Sequence, residues 1–183
     1  MHRVRHRINH TAKPSRNISV LPVALAFLLG AAAVTLCLGL NISAVDLSFL
    51  RAGKGSLTAI FFSCVIYHIA VCLAATSTLG AALIPACAFL CGGSVAYRSA
   101  AIISSADASA ALQVIMTVII PAIFIVPPFF VISCGGIRLS SLLRASGEQR
   151  LRASAARRFS AQAVLSFMMA FAAAAYMYYI HPA

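Results

Sequence analysis

The chain has 183 residues, of which 62% are apolar and only 9% are charged, with 14 Lys and Arg against 3 Asp and Glu. Soluble globular domains carry about 25% charged residues, so this composition cannot cover a water-facing surface. Intrinsic disorder is excluded as well, because disordered chains are poor in hydrophobic residues. The composition predicts an all-α integral membrane protein that forms one bundle of spanning helices.

The charged residues separate four long uncharged stretches, at residues 17–45, 55–97, 108–137 and 159–183. A helix of about 20 residues crosses a hydrocarbon core of about 30 Å. Three stretches therefore fit one span each, whereas the second stretch would be about twice the core thickness as one helix. We expect five spans, near residues 20–40, 57–75, 79–97, 110–137 and 160–180.

The second stretch must turn back, and its most polar point is Ala75 to Gly80. Hydroxyl groups there can satisfy the backbone groups that a turn frees, and Gly80 tolerates turn geometry. This segment is the expected reversal between the second and third spans.

Eleven of the 14 basic residues fall in two clusters, an arm at residues 1–19 and a connection at residues 138–159. Basic clusters next to spans favour the cytoplasmic side, so both should lie there with an even number of spans between them. Four spans fit that interval, which predicts a cytoplasmic N-terminus and a C-terminus outside the cell membrane. The residues that set this topology and contact lipid are Arg3, Arg5, Arg7, Lys13, Arg16, Arg138, Arg144, Arg150, Arg152, Arg157 and Arg158.

A cleavable signal peptide is the main alternative for the N-terminus. The apolar run from Val20 to Leu40 exceeds the 7 to 15 residues typical of such segments. Lipoprotein processing at Cys37 is disfavoured because Leu36 stands where a small residue is expected. We interpret the segment as a retained membrane anchor.

The basic connection intersperses leucines with arginines at nearly helical spacing. Such a segment can lie in the membrane interface, with leucines in the lipid and guanidinium groups at the headgroups. A helix that docks a partner would show the same pattern, and both interpretations stay open. The leucines are Leu139, Leu142, Leu143 and Leu151.

Cys64, His68 and Cys72 share one stripe of the second span. Histidine is costly inside a bilayer, which makes His68 an intramembrane polar candidate. One helix cannot surround a tetrahedral metal ion, and the other histidines lie at the two ends of the chain. We expect a neutral His68 hydrogen-bonded inside the bundle, and no metal or other cofactor. A redox or metal protein built on this stripe is a minor alternative.

Groups suited to catalysis are scarce. The three acidic residues, Asp46, Asp107 and Glu148, all fall outside the expected spans, so no paired carboxylates are available there. The chain also lacks the usual metalloprotease, serine hydrolase and phosphate-loop motifs. The sequence therefore indicates a protein that is not an enzyme.

The fourth span contains Pro121, Pro127 and Pro128. Each proline removes a backbone donor and crowds the carbonyl four residues earlier, so we expect this helix to be bent or broken at mid-depth. The freed carbonyls must then face protein or a wet cavity. Small residues elsewhere, at Gly92-Gly93, Gly135-Gly136 and residues 172–175, predict close helix packing.

Several of these features together resemble the stage II sporulation protein M family. Pro121 and Pro128 have the spacing of a proline-x6-proline element that the family carries in the fourth of five spans. Leu79 to Pro85, followed by Gly92-Gly93, is similar to the family's third span, and Tyr178 to Pro182 is similar to its ending. The resemblance covers roughly residues 50–183.

The resemblance implies a membrane scaffold of sporulation. In that family the M protein helps to localise and assemble the D and P sporulation proteins, which degrade peptidoglycan while the forespore is engulfed. The expected partners are these membrane-anchored cell-wall hydrolases and the lipid bilayer, with no nucleic acid. The alternative is a small permease or transporter subunit, because discontinuous helices often line substrate paths.

Overall fold

The computed structural model describes residues 20–39, 57–105, 112, 114–145 and 149–180. These residues form five long helices and, within the described ranges, no strand. The helices are α1 (Leu21–Gly39), α2 (Leu57–Ala75), α3 (Gly80–Ser105), α4 (Ile120–Arg144) and α5 (Gln149–Ile180), and a π-helical turn (Ile115–Ile119) leads into α4.

All five helical segments are long and apolar enough to cross a membrane. The predicted all-α, multi-pass membrane bundle is therefore confirmed. The basic arm, with Arg3, Arg5, Arg7, Lys13 and Arg16, lies outside the described residues.

The helices extend beyond the uncharged stretches that predict them. α3 continues to Ser105, α4 ends at Arg144, and α5 begins at Gln149. Arginine is a good helix former and each helix satisfies its own backbone, so helical structure does not stop where the lipid-compatible sequence stops. The segment 138–159, expected to be a loop, is accordingly helical on both sides of the connection near residues 146–148.

The core has two parts along the length of the bundle. In one, Phe129 and Ile132 of α4 pack with Val71 of α2, Ile84 of α3 and Phe159 of α5. In the other, Cys64 and Val65 of α2 pack on a face of α5 that is formed by Ala170, Ala174 and Met177. Alanines bring α5 close to α2, which is how membrane helices associate where lipid provides no hydrophobic drive.

The reversal between α2 and α3 lies where the sequence predicts it, at Ala75 to Gly80. It is fixed to the end of α4. The Ser140 hydroxyl donates to the Ser77 carbonyl at 2.8 Å and accepts from the Ala81 N–H at 3.2 Å, and Arg144 donates to the Thr78 carbonyl at 2.7 Å.

This contact places the α2–α3 turn and the basic residues at the end of α4 on one side of the bundle. We call it the basic end, defined by residues 75–80, Arg144 and Gln149.

α1 attaches to the bundle mainly through α3, at backbone-to-backbone contacts made possible by glycine. A methyl group on Gly30 would overlap the Phe89 carbonyl, and one on Gly92 would overlap the Phe27 carbonyl. We call these four residues the α1–α3 seam. Within α1 only Val23 and Gly30 are buried.

Candidate functional site

The fourth span departs from α-helical geometry before its prolines. The Ile120 N–H bonds the carbonyl of Ile115, five residues back, and the next residue, Pro121, has no N–H to donate. The wider turn relieves the crowding that the Pro121 ring would impose on a regular α-helix. The fourth span is therefore irregular at Ile115–Ile119.

The position of the irregularity differs from the expected mid-depth break. Pro127 and Pro128 lie inside α4, which continues as an α-helix to Arg144. Surrounding helices support the backbone there, since Phe129 and Ile132 immediately afterwards are fully buried. The departure from regular geometry is one π-helical turn beside Pro121, with no interruption at the Pro127–Pro128 pair.

A small cavity with a mixed polar and apolar lining lies beside this π-helical turn, in the half of the bundle away from the basic end. It has a volume of about 40 Å³ and is lined by Thr117 and Pro121 of the fourth span together with residues of α2 and α3. The polar lining residues from α2 and α3 are Ser63, Tyr67, Ser94 and Arg98. This volume suits two or three water molecules, at about 10 to 15 Å³ each.

The hydroxyl groups of this cavity are mostly engaged with their own helices. Ser63 donates to the Ile60 carbonyl and Ser94 to the Cys91 carbonyl, each at 2.8 Å, while the Tyr67 hydroxyl interacts with Ser94. The serines therefore present oxygen lone pairs, and Arg98 adds a positive charge. Ordered water is the chemistry that matches such a lining, because water can both donate to the hydroxyl oxygens and accept from the guanidinium group.

His68 follows the cavity-lining Tyr67 in α2 and is 0% exposed. The edge of Phe129 packs against it, with ring centroids 5.6 Å apart and an interplanar angle of 83°. The nearest polar groups are the backbone carbonyls of Cys64 and Ile125, both of which belong to cavity-lining residues. The buried position agrees with the prediction.

The expected hydrogen bond of His68 stays a prediction, because the carbonyls of Cys64 and Ile125 lie beside the ring without meeting strict hydrogen-bond geometry. Neither ring nitrogen meets hydrogen-bond geometry with a partner in the described part of the chain. The hydroxyls of Ser133 in α4 and Ser166 in α5 share this condition. Sequence reasoning missed both serines, because a single serine in a span gives no signal of its burial.

The Cys64–His68–Cys72 stripe does not converge on one point. Cys64 packs against α5 in one part of the core, whereas Cys72 borders the other part. Among the described residues, no group of three His, Cys, Asp or Glu side chains is arranged to hold a metal ion. The three acidic residues, Asp46, Asp107 and Glu148, lie outside the described ranges.

The arginines around the connection between α4 and α5 are mostly exposed. Arg138, Arg144, Arg150, Arg157 and Arg158 are exposed, and the half-buried Arg152 donates to the Ala145 carbonyl. They project from two spanning helices that continue past the apolar part of the bundle.

The leucines of this segment do not form one lipid-facing stripe. Leu139 is buried and Leu143 packs on the core, while Leu151 is exposed. Residues 138–144 and 149–159 belong to α4 and α5, which pack against their neighbours almost to their ends, so part of their apolar face is used inside the bundle. The choice between an interfacial and a partner-docking segment stays open.

Comparisons with family models, with curated proteins and with solved structures found no match to this chain. The resemblance to the stage II sporulation protein M family stays a prediction.

Proposed function

We propose that the chain is a non-enzymatic scaffold of the cell membrane that recruits peptidoglycan-degrading partners during engulfment of the forespore. The sporulation context and the partner class rest on the resemblance carried by Pro121, Pro128 and the flanking spans. The non-enzymatic character rests on the sequence, which places no carboxylate inside a span. In the proposed orientation the basic end faces the cytoplasm and the C-terminus lies outside.

The observation that carries the scaffold proposal is the exposure of α1. This helix buries only Val23 and Gly30, and four of its leucines are 49% to 65% exposed. The leucines are Leu25, Leu28, Leu29 and Leu36. Most of its circumference thus faces outward, where the spanning helix of a partner can pack against it by van der Waals contact.

Co-purification from sporulating cells in mild detergent tests this proposal. The wild-type chain should carry membrane-anchored cell-wall hydrolases, and the double variant Leu25→Ala/Leu29→Ala should lose most of them because the shape of the α1 face changes. Absence of any such hydrolase from the wild-type preparation would contradict the proposal.

A matched control uses the exposed face of α3. Leu83 and Leu90 are 45% and 50% exposed, close to the 49% and 62% of Leu25 and Leu29. The variant Leu83→Ala/Leu90→Ala removes the same atoms from another helix and should retain the partners. Equal loss in both variants would assign the effect to general disturbance of the bundle and would remove the support for α1.

A permease is the second candidate, and the cavity beside Pro121 is the observation in its favour. Its volume of about 40 Å³ is well below the roughly 300 to 1,000 Å³ of typical small-molecule sites. Transport would therefore require a wider state than this one. Purified protein in liposomes should show no saturable solute uptake under the scaffold proposal, and saturable uptake would favour the permease.

A further inference from the structure

The outward face of α5 combines a basic part and an apolar part along one stripe. Arg150, Arg157, Val164 and Phe171 follow one another at intervals of seven residues, so they lie on nearly the same side of the helix. All four are exposed. In the described part of the chain, Phe61 of α2 packs against one edge of the stripe, with its ring centroid 5.8 Å from that of Phe171, and the stripe otherwise faces outward.

The apolar part of the stripe is a shallow, open depression between side chains of α5, and we call it the groove. It is lined by Val164, Phe167, Met168 and Phe171. The groove is almost entirely apolar, and Val164 and Met168 are 61% and 66% exposed. Such a surface suits a hydrocarbon chain.

The position of the stripe relative to the membrane follows from the length of α5. Its 32 residues extend about 48 Å, which exceeds a hydrocarbon core of about 30 Å. Tyr178 and Tyr179 near the C-terminal end are typical of the membrane interface, which places the opposite boundary of the core near Ser160. Arg157 then lies at headgroup depth, and the groove begins about 6 Å inside the core.

We propose that this face of α5 is a binding site for one anionic phospholipid. The phosphate would contact Arg157, and Arg150 would be a second cation about 10 Å further from the hydrocarbon core. One acyl chain would occupy the groove from Val164 to Phe171. Charge complementarity supports this occupant, because the stripe is cationic at headgroup depth and apolar only below it. The proposal does not depend on the scaffold function.

The test measures bound lipid on the full-length chain by native mass spectrometry, after extraction from nanodiscs that contain equal amounts of phosphatidylglycerol and phosphatidylcholine. The wild-type chain should retain phosphatidylglycerol in preference. Arg157→Gln should lower the affinity for phosphatidylglycerol about fivefold, the effect of one arginine near an anionic headgroup. Arg158→Gln is the matched control, since this equally exposed neighbour points about 100° away around the helix and should leave the affinity unchanged.

The groove has its own pair of variants. Met168→Ser should weaken binding of long-chain phosphatidylglycerol, whereas Leu165→Ser, at a similarly exposed position outside the groove, should not. Glycerol phosphate and a six-carbon phosphatidylglycerol should compete poorly, because neither fills the groove. Both outcomes would support an acyl chain as the occupant.

Three results would overturn the proposal. Equal losses in Arg157→Gln and Arg158→Gln would show diffuse attraction of anionic lipid without a site. Full competition by glycerol phosphate would show a simple phosphate site. A wild-type dimer that Met168→Ser converts to monomer would show that a second copy of the chain covers the groove.

Discussion

At the scale of single residues, the α1–α3 seam depends on two glycines that allow backbone to touch backbone. Gly30 of α1 faces the Phe89 carbonyl of α3, and Gly92 of α3 faces the Phe27 carbonyl of α1. Each helix therefore contributes one glycine and one backbone carbonyl to the seam. The obstructing atoms belong to the main chain and cannot rotate away as a side chain can. A methyl group added at either glycine would therefore push α1 and α3 apart.

Gly30→Ala should consequently lower the stability of the bundle by about 1 to 3 kcal/mol, the usual cost of overpacking. The measurement is the thermal unfolding of purified protein in a fixed detergent. Gly39→Ala is the control, because no atom of the described residues lies within 4 Å of the added methyl group. A Gly30→Ala variant as stable as Gly39→Ala would contradict the close contact in the seam.

At the scale of helices, the π-helical turn sets the rotation of the start of the fourth span relative to α4. One contact depends on that rotation, since the Tyr176 hydroxyl of α5 lies 3.6 Å from the Met116 sulfur. Of the three prolines, Pro121 lies at the start of α4, directly after the turn. Pro127 and Pro128 lie within the continuous helix. Pro121 is thus the residue that maintains the turn.

Pro121→Ala should convert the turn to α-helix, because the new N–H can bond the Thr117 carbonyl four residues back. Met116 would then rotate away from Tyr176. In a background without native cysteines, Met116→Cys and Tyr176→Cys should react efficiently with a short thiol cross-linker, and adding Pro121→Ala should reduce the yield severalfold.

Pro128→Ala provides the comparison for this experiment. It adds a donor to a helix that is already α-helical on both sides, so the cross-link yield should stay high. Unchanged yield in Pro121→Ala would show that the turn does not depend on this proline.

The sequence predicts helices more fully than it predicts sites. The number of spans and the reversal at Ala75 to Gly80 follow from charge spacing and turn chemistry, which are local properties. The end of α3 at Ser105 and the start of α5 at Gln149 cannot be predicted from the sequence in this way. Arginine and serine end a lipid-compatible stretch without ending a helix.

Side-chain environments need the three-dimensional contacts. The sequence does not show that the edge of Phe129 of α4 packs against the His68 ring, because the two residues are far apart along the chain. The stripe of Cys64 and Cys72 divides between two parts of the core because α2 contacts different helices along its length. Which helix faces which neighbour is a tertiary property that periodicity on one helix does not encode.

At the scale of the whole molecule, the distribution of arginine gives the bundle its direction. The α2–α3 turn and the arginine-rich ends of α4 and α5 lie together at the basic end, so one orientation places all of them in the cytoplasm. Reversing the bundle would expose this end to the outside against the usual preference for basic residues inside. The scaffold proposal needs this orientation, because its hydrolase partners act on the wall outside the membrane.

Reporter fusions test the orientation directly. A fluorescent protein that folds only in the cytoplasm and a phosphatase that is active only outside are each fused after Ala183, and each is also inserted between Arg144 and Gln149. The account predicts phosphatase activity without fluorescence at the C-terminus, and fluorescence without phosphatase activity at the connection between α4 and α5. The reverse pattern at either position would contradict the proposed threading of the chain and the scaffold function that rests on it.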